Sequence, residues 1–275
     1  MIGGPRPESF RLRDAPLVQA LVQVKFPLLA RLETLAGVAP VQERLMTLFP
    51  YMNQQKVTEL QLNMSPSGMT PQTSMTTVTE FTDDEGWRLS LGPGEMTLTA
   101  GSSYAGVDGI IGRLAAVLSA LHDGLGIRRC ERLGVRFLNV VDVMEGEEWA
   151  WTEWFRAELA GWVTPQVLAS GTRLLATISE TRLARSASAD VPGEVQSVVR
   201  HGFLPAGSVL PMVGPGPLAQ PSFLLDLDVF LQAPQRFDPE VLLEQFQNMH
   251  SDIEGFFYWS LTDSGKEHFG LEHID

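Results

Sequence analysis

Apolar and polar positions alternate cleanly between Leu17 and Phe26. Val18, Ala20, Val22, Val24 and Phe26 fall on one side, and Gln19, Gln23 and Lys25 fall on the other with Leu17 and Leu21. A period of two predicts a half-buried strand. Leu28 to Phe49 reads as helical, interrupted near Gly37 and Pro40, with Val41, Leu45 and Leu48/Phe49 as its apolar stripe. Short strands are expected over Val57–Asn63, Thr76–Thr82, Trp87–Leu91 and Met96–Ala100. The turns Asp83-Asp84-Glu85-Gly86 and Gly92-Pro93-Gly94 make the last three of these antiparallel neighbours. Ile110, Leu114, Val117, Leu118 and Leu121 then mark one face of a helix stopped by Gly124 and Gly126.

The same order restarts near Arg128. Leu133, Val135 and Phe137 alternate with Arg132, Arg136 and Leu138 in an expected strand over Arg128–Val143. Trp151, Trp154, Phe155, Leu159 and Trp162 form a helical stripe, and strands follow over Arg173–Leu183, Glu194–Leu204 and Ser222–Leu231. Ser186–Gly193 and Leu210–Pro221 have loop chemistry. Asp238-Pro239-Glu240 is a helix start: a capping side chain, a proline in the first turn and an acid at the positive end of the dipole. Leu242, Phe246, Met249, Ile253 and Phe256/Phe257 continue it as a long stripe, and both chain ends are expected to be tied down. The reading is an α+β protein with antiparallel sheets and helices on one face. Tandem β-α-β-β-β(-β)-α units, residues 1–127 and 128–275, share one core about a pseudo-twofold. That order is similar to the saddle-shaped TATA-binding-protein fold, a likeness of topology that transfers no function.

Charge narrows the partners. The formal net charge is −13. Residues 1–127 hold 9 basic and 12 acidic side chains, while residues 128–275 hold 11 and 21. The acidic second half repels nucleic acid and favours a partner with a basic surface, or, in the plainer alternative, simply keeps the protein soluble. One cysteine, Cys130, excludes an internal disulfide, and no apolar stretch is long enough to cross a bilayer, so a cytoplasmic protein is expected.

Several segments carry a resemblance. They are Pro16-Leu-Val-Gln-Ala-Leu-Val-Gln-Val-Lys-Phe26, Arg132-Leu-Gly-Val-Arg-Phe-Leu-Asn139, Phe223-Leu-Leu-Asp-Leu-Asp-Val-Phe230, and Phe237-Asp-Pro-Glu-Val-Leu-Leu243 leading through Met249-His250 to Ser260-Leu-Thr262. In this order they resemble an uncharacterised, sporadically distributed bacterial protein family of about this length. Gln19 stands where the resemblance implies an acid. The family implies no activity; its patchy distribution implies an accessory gene of a defence or toxin–antitoxin locus.

Candidate chemistry is sparse. Asp226 and Asp228 share one face of a strand and could hold a divalent ion or split acid and base roles. The plainer alternative is ion pairing with arginines such as Arg132 or Arg136. Arg132, Arg136 and Asn139 suit a small anionic ligand or, alternatively, a structural Arg–Asp pair. The five histidines lack zinc-site spacing, no nucleophile elbow or Walker loop occurs, and Gly106, Gly109 and Gly112 do not form a dinucleotide fingerprint. Neither a metal nor a cofactor is expected. Four tryptophans, Trp149, Trp151, Trp154 and Trp162, interleave with Glu145, Glu147, Glu148, Glu153 and Glu158. Such a cluster packs a helix on its sheet, or leaves a ring exposed as an anchor for a protein partner. The expectation is therefore a non-enzymatic protein-binding accessory, immunity- or antitoxin-like, with a homodimer as a second outcome. The alternative is an anionic-ligand binder or hydrolase with a pocket near Arg132, Arg136, Asp226 and Asp228. Nucleic-acid binding ranks last.

Overall fold

The computed structural model describes residues 10–65, 68–100, 104, 106–144, 151–159, 170–186, 193–210 and 216–273. The chain is α+β. Its strands are β1 (Phe10–Leu12), β2 (Leu17–Lys25), β3 (Tyr51–Ser65), β4 (Gly68–Thr82), β5 (Arg88–Leu91), β6 (Glu95–Ala100), β7 (Arg129–Cys130), β8 (Arg132–Asp142), β9 (Ser179–Ser186), β10 (Glu194–Leu204), β11 (Ser222–Leu231), β12 (Gln235–Arg236) and β13 (Leu271–His273). Its helices are α1 (Leu35–Leu45), α2 (Val107–Ser119), α3 (Trp151–Trp154), α4 (Pro239–Ser260) and α5 (Asp263–His268). Nine strands form one antiparallel sheet in the order β3-β4-β5-β6-β2-β8-β11-β10-β9; β1 pairs with β13 and β12 with β7. From β2 outward the order is β6, β5, β4, β3, and from β8 outward it is β11, β10, β9. Each opening strand thus lies beside the last strand of its own meander.

Two compact units divide the chain. One comprises Leu21–Leu133 and Gln232–Gln245. In it the alternation of β2 buries Val22, Val24 and Phe26, β5 buries Leu89 and Leu91, and β6 buries Met96, Leu98 and Ala100. Ile110, Leu114, Val117 and Leu118 of α2 are buried too, as are Val38, Val41 and Leu45 of α1. Each buried Val, Leu, Ile, Met or Phe side chain among these contributes about 1.5–3 kcal/mol relative to exposure. The other unit comprises Met1–Ala20, Gly134–Leu231 and Phe246–Asp275. Its core is aromatic: Trp151 stacks on Phe223 at 4.4 Å between ring centroids, and Phe155 lies 4.7 Å from the same ring.

Several local expectations are corrected. The first helix begins at Leu35, after a 3-10 turn at Ala30–Glu33, and both Gly37 and Pro40 lie inside it. Thr34 caps this helix, its side chain accepting from the Gly37 amide at 3.1 Å. Gly37 belongs there because a Cβ would meet the Arg31 carbonyl oxygen at 1.9 Å, the preceding turn folding tightly onto the helix start. Pro40 forfeits one intrahelical bond, which the buried stripe outweighs. The strands expected at Val57–Asn63 and Thr76–Thr82 are two 15-residue strands paired from Tyr51↔Thr82 to Ser65↔Gly68. Backbone pairing extends them through polar residues that carry no alternation signal. The expected Arg173–Leu183 strand is Ser179–Ser186. The helix expected from Trp151 is a single turn followed by a 3-10 turn at Ala157–Leu159; Trp162 lies outside the described residues. The segment after Ser264 completes α5 and β13, and Phe10↔His273 joins β1 to β13.

Cys130 is buried and free, its thiol donating to the Arg132 carbonyl at 3.4 Å. Burial pushes the thiol pKa up to about 12, and the Arg132 and Gln235 hydrogen bonds offset only part of this. The native protein is therefore expected to resist a thiol-specific disulfide reagent at pH 8 and to react fully in denaturant. Rapid labelling of the folded chain would overturn this.

Candidate functional site

The meander β9-β10-β11 and the neighbouring β8 build a cluster of charged side chains. Register places Asp226 opposite Arg200, and Arg200 opposite Glu180. Asp226 is 2% exposed, in a strand where seven of its neighbours are also buried. A carboxylate so buried needs partners. It finds two guanidinium groups. Arg136 Nε and Nη2 donate to the two Asp226 oxygens at 2.6 Å each, a bidentate fork, and Arg200 Nη1 donates to Oδ2 at 3.1 Å. Arg200 Nε donates to Glu180 Oε2 at 2.6 Å, and Arg182 Nε donates to Glu180 Oε1 at 2.7 Å. The result is a ladder of alternating charge across four strands: Arg136, Asp226, Arg200, Glu180, Arg182.

Titration follows from these contacts. The hydrogen bond from Arg182, and then that from Arg200, hold the Glu180 carboxyl below its ordinary value. Burial works against the Arg200 charge, but its bonds to Glu180 and Asp226 outweigh this and raise its pKa. The ladder is charge-neutralised along most of its length and graded from buried at Asp226 to exposed at Arg182, whose side chain is 73% accessible.

The structure brings some expected residues together and separates others. Arg136 and Asp226 meet directly. Asn139 is buried and donates to the Leu225 carbonyl at 3.1 Å, tying β8 to β11. Asp228 shares the Asp226 face by alternation and lies opposite Val198. Asp228 and Asp252 border a cavity of about 10 Å³ with Ser197, Leu227, Ile253 and Phe256, room for about one water. Arg132 belongs to the other unit, where it donates to Gln23 Oε1 at 2.6 Å. Trp151 is 1% exposed and stacks on Phe223. Trp154 is half-buried, stacked on His268 at 4.1 Å. Trp149 and Trp162 lie outside the described residues. Among the described residues no group of three His, Cys, Asp or Glu side chains could hold a metal, and no helix is long and apolar enough to cross a membrane.

Sequence reading missed Arg200, Glu180 and Arg182. A single charge inside the apolar run Val198-Val199-Arg200-His201 was the available signal, since a charge on a buried strand demands a partner. Its identity depends on cross-strand register, which no local pattern contains.

The ladder ends at an edge. Strand β9 is the last of the sheet, paired only with β10 among the described residues. Nearly all its side chains are exposed. Large apolar side chains gather along it and the segment before it: Leu175 at 63% exposure, Ile178 at 53% and Leu183 at 45%. No protein-family model matches the chain, and neither does any curated protein.

Proposed function

We propose that the protein acts by docking another protein, as a non-enzymatic cytoplasmic accessory of the immunity, antitoxin or bacterial defence type. In this reading it holds an extended segment of its partner along the outer edge of β9. The observation that carries it is the coincidence of a sheet edge unpaired among the described residues with exposed Leu175, Ile178 and Leu183. An edge strand offers backbone donors and acceptors to an added strand, and flanking apolar side chains give that strand its specificity. The repeated element order is read as an internal duplication. The acidity of the chain favours a partner with a basic surface.

The ladder supports a protein segment over a small anion. To bind an anion, Arg136 or Arg200 would have to release Asp226, leaving a buried carboxylate short of partners. Hydrolysis near Arg132, Arg136, Asp226 and Asp228 is disfavoured for the same reason.

The test is co-purification with the products of adjacent genes by size-exclusion chromatography. A complex is expected whose dissociation constant rises about tenfold or more in Ile178→Asp and Leu183→Asp, the usual scale for losing an anchoring side chain. A complex indifferent to both substitutions sinks the β9 assignment. Failure of every neighbouring product to bind sinks the docking reading itself.

A further inference from the structure

Hydrogen-bond phase decides which residues of β9 face an incoming strand. Thr177 donates its amide to the Phe203 carbonyl at 2.9 Å. This contact continues the register that runs from Ser179↔His201 to Ser186↔Glu194, with no residue inserted on either strand. In an antiparallel pair, bonded and free positions alternate. Ser179, Thr181, Leu183 and Arg185 are therefore the positions bonded to β10. Glu180, Arg182, Ala184 and Ser186 turn their amides and carbonyls to the outer edge.

Charge along that edge is unbalanced. Both Glu180 oxygens are taken, Oε1 by Arg182 Nε at 2.7 Å and Oε2 by Arg200 Nε at 2.6 Å. Arg185, on the other face, is answered by Asp252 at 2.5 Å. Arg182 is answered only in part. Among the described residues its Nε alone is engaged, so the Nη donors of a side chain 73% accessible remain for another acceptor. The ladder sets three arginines against two carboxylates, and the surplus stands at its outer end. The net charge of −13 acts at long range and is screened beyond about 8 Å at physiological ionic strength. At contact the side chains of the edge itself set the sign.

Resting on the docking reading above, we propose that the segment held by β9 places a carboxylate opposite Arg182, with an apolar residue on each side of it in sequence. Outward amides and carbonyls select a peptide strand over a nucleic acid or a small anion. The residue paired with Arg182 has its Cα about 5.5 Å away and points to the same face, within reach of a two-pronged contact. Its sequence neighbours point to the opposite face, beside Thr181 and Leu183. Leu183 is 45% exposed there, and an apolar neighbour would cover it. The segment therefore reads apolar, acidic, apolar. A partner that is basic overall can carry it, since net charge and contact charge act over different distances.

Fluorescence anisotropy of the full chain with labelled peptides tests this. The probes carry the central run Val-Glu-Val, Val-Gln-Val or Val-Lys-Val between identical Ser/Thr ends. Val-Glu-Val is expected to bind tightest, with a dissociation constant about fivefold or more below that of Val-Lys-Val. Arg182→Ala should remove the preference and Arg182→Glu should reverse it, whereas Leu183→Asp should weaken Val-Glu-Val. Arg182 is exposed, so both of its variants should keep the parent's circular dichroism. Should either misfold, the ranking of the three peptides on the parent chain still decides. Val-Lys-Val binding as well as Val-Glu-Val, or a preference that survives Arg182→Ala, overturns the acidic assignment and leaves the docking reading standing. Binding of none of the peptides overturns the assignment too, and co-purification with the neighbouring gene products then decides the docking reading by itself.

Discussion

Asp226→Ala is expected to lower the free energy of unfolding by about 3–5 kcal/mol, the range for removing one partner of a buried ion pair. The substitution deletes a small side chain, so the cavity term is minor. The cost arises from what stays behind. Arg136 loses both prongs of its fork and Arg200 loses one of its two carboxylates, while the two guanidinium groups, on the strands that flank β11, are 21% and 28% exposed. That partial access to water places the effect toward the lower end of the range. Urea unfolding with an unchanged slope would measure it. Combining Asp226→Ala with Arg136→Met should recover part of the loss, because neutral groups of similar length need no counter-charge. A loss under about 1 kcal/mol would show the ladder to be a surface feature of little weight.

The second large effect is a loss of stability in mild acid. His250, in α4, is 4% exposed, with its ring 5.3 Å from Phe137 and 6.0 Å from Phe246. Burial drives its pKa down from 6.5 to about 4. The Glu254 carboxylate lies 3.4 Å from Nδ1 and favours the proton, but it is half in solvent and burial dominates. The unfolded chain binds a proton below about pH 6.5 that the folded chain refuses until about pH 4, so stability falls as pH drops through that window. At about 1.36 kcal/mol per unit, the loss approaches roughly 3 kcal/mol at pH 4. His201, whose pKa burial also lowers against an opposing bond to the Leu159 backbone, adds in the same direction. Glu180, held below its ordinary value, adds only at lower pH, when carboxylates protonate. Denaturant unfolding between pH 7 and pH 4.5 should show the decline, and His250→Leu should flatten it. A parent protein equally stable at pH 7 and pH 5, or a variant with the parent's slope, would refute the assignment to His250.

The fold was legible wherever burial is one-sided and local. Strand β2 declares itself by alternation because one face meets the core and the other does not. Strands β10 and β11 span the residues their apolar runs mark, Glu194–Leu204 and Ser222–Leu231. Helix α4 starts at Pro239, where the Asp238 carboxylate accepts from the Glu240 amide at 3.2 Å. The β3–β4 hairpin was only half visible, since its Gln, Asn, Thr and Ser residues give no clear alternation of apolar and polar positions, and its length shows only in the backbone pairing. At the candidate site, the shared face of Asp226 and Asp228 followed from spacing. Which arginine answers Asp226 did not: Arg132 and Arg136 look equivalent in sequence, yet one meets Gln23 and the other Asp226. For the tryptophan cluster the sequence left packing and exposure both open; Trp151 is packed, its ring stacked on Phe223.

Periodicity, capping and turn residues determined the α+β class and the order of the longer strands and helices, properties of neighbours within a few residues of one another, and composition set the acidic balance. Tertiary structure decided the sheet order, the length of the β3–β4 pairing, and the partners of the buried Asp226 and Asp252. Arg136 and Asp226 are 90 positions apart, and Arg185 and Asp252 are 67. Contacts at such separations arise only when strand register and helix docking place them, and a shift of one residue would turn each side chain to the opposite face.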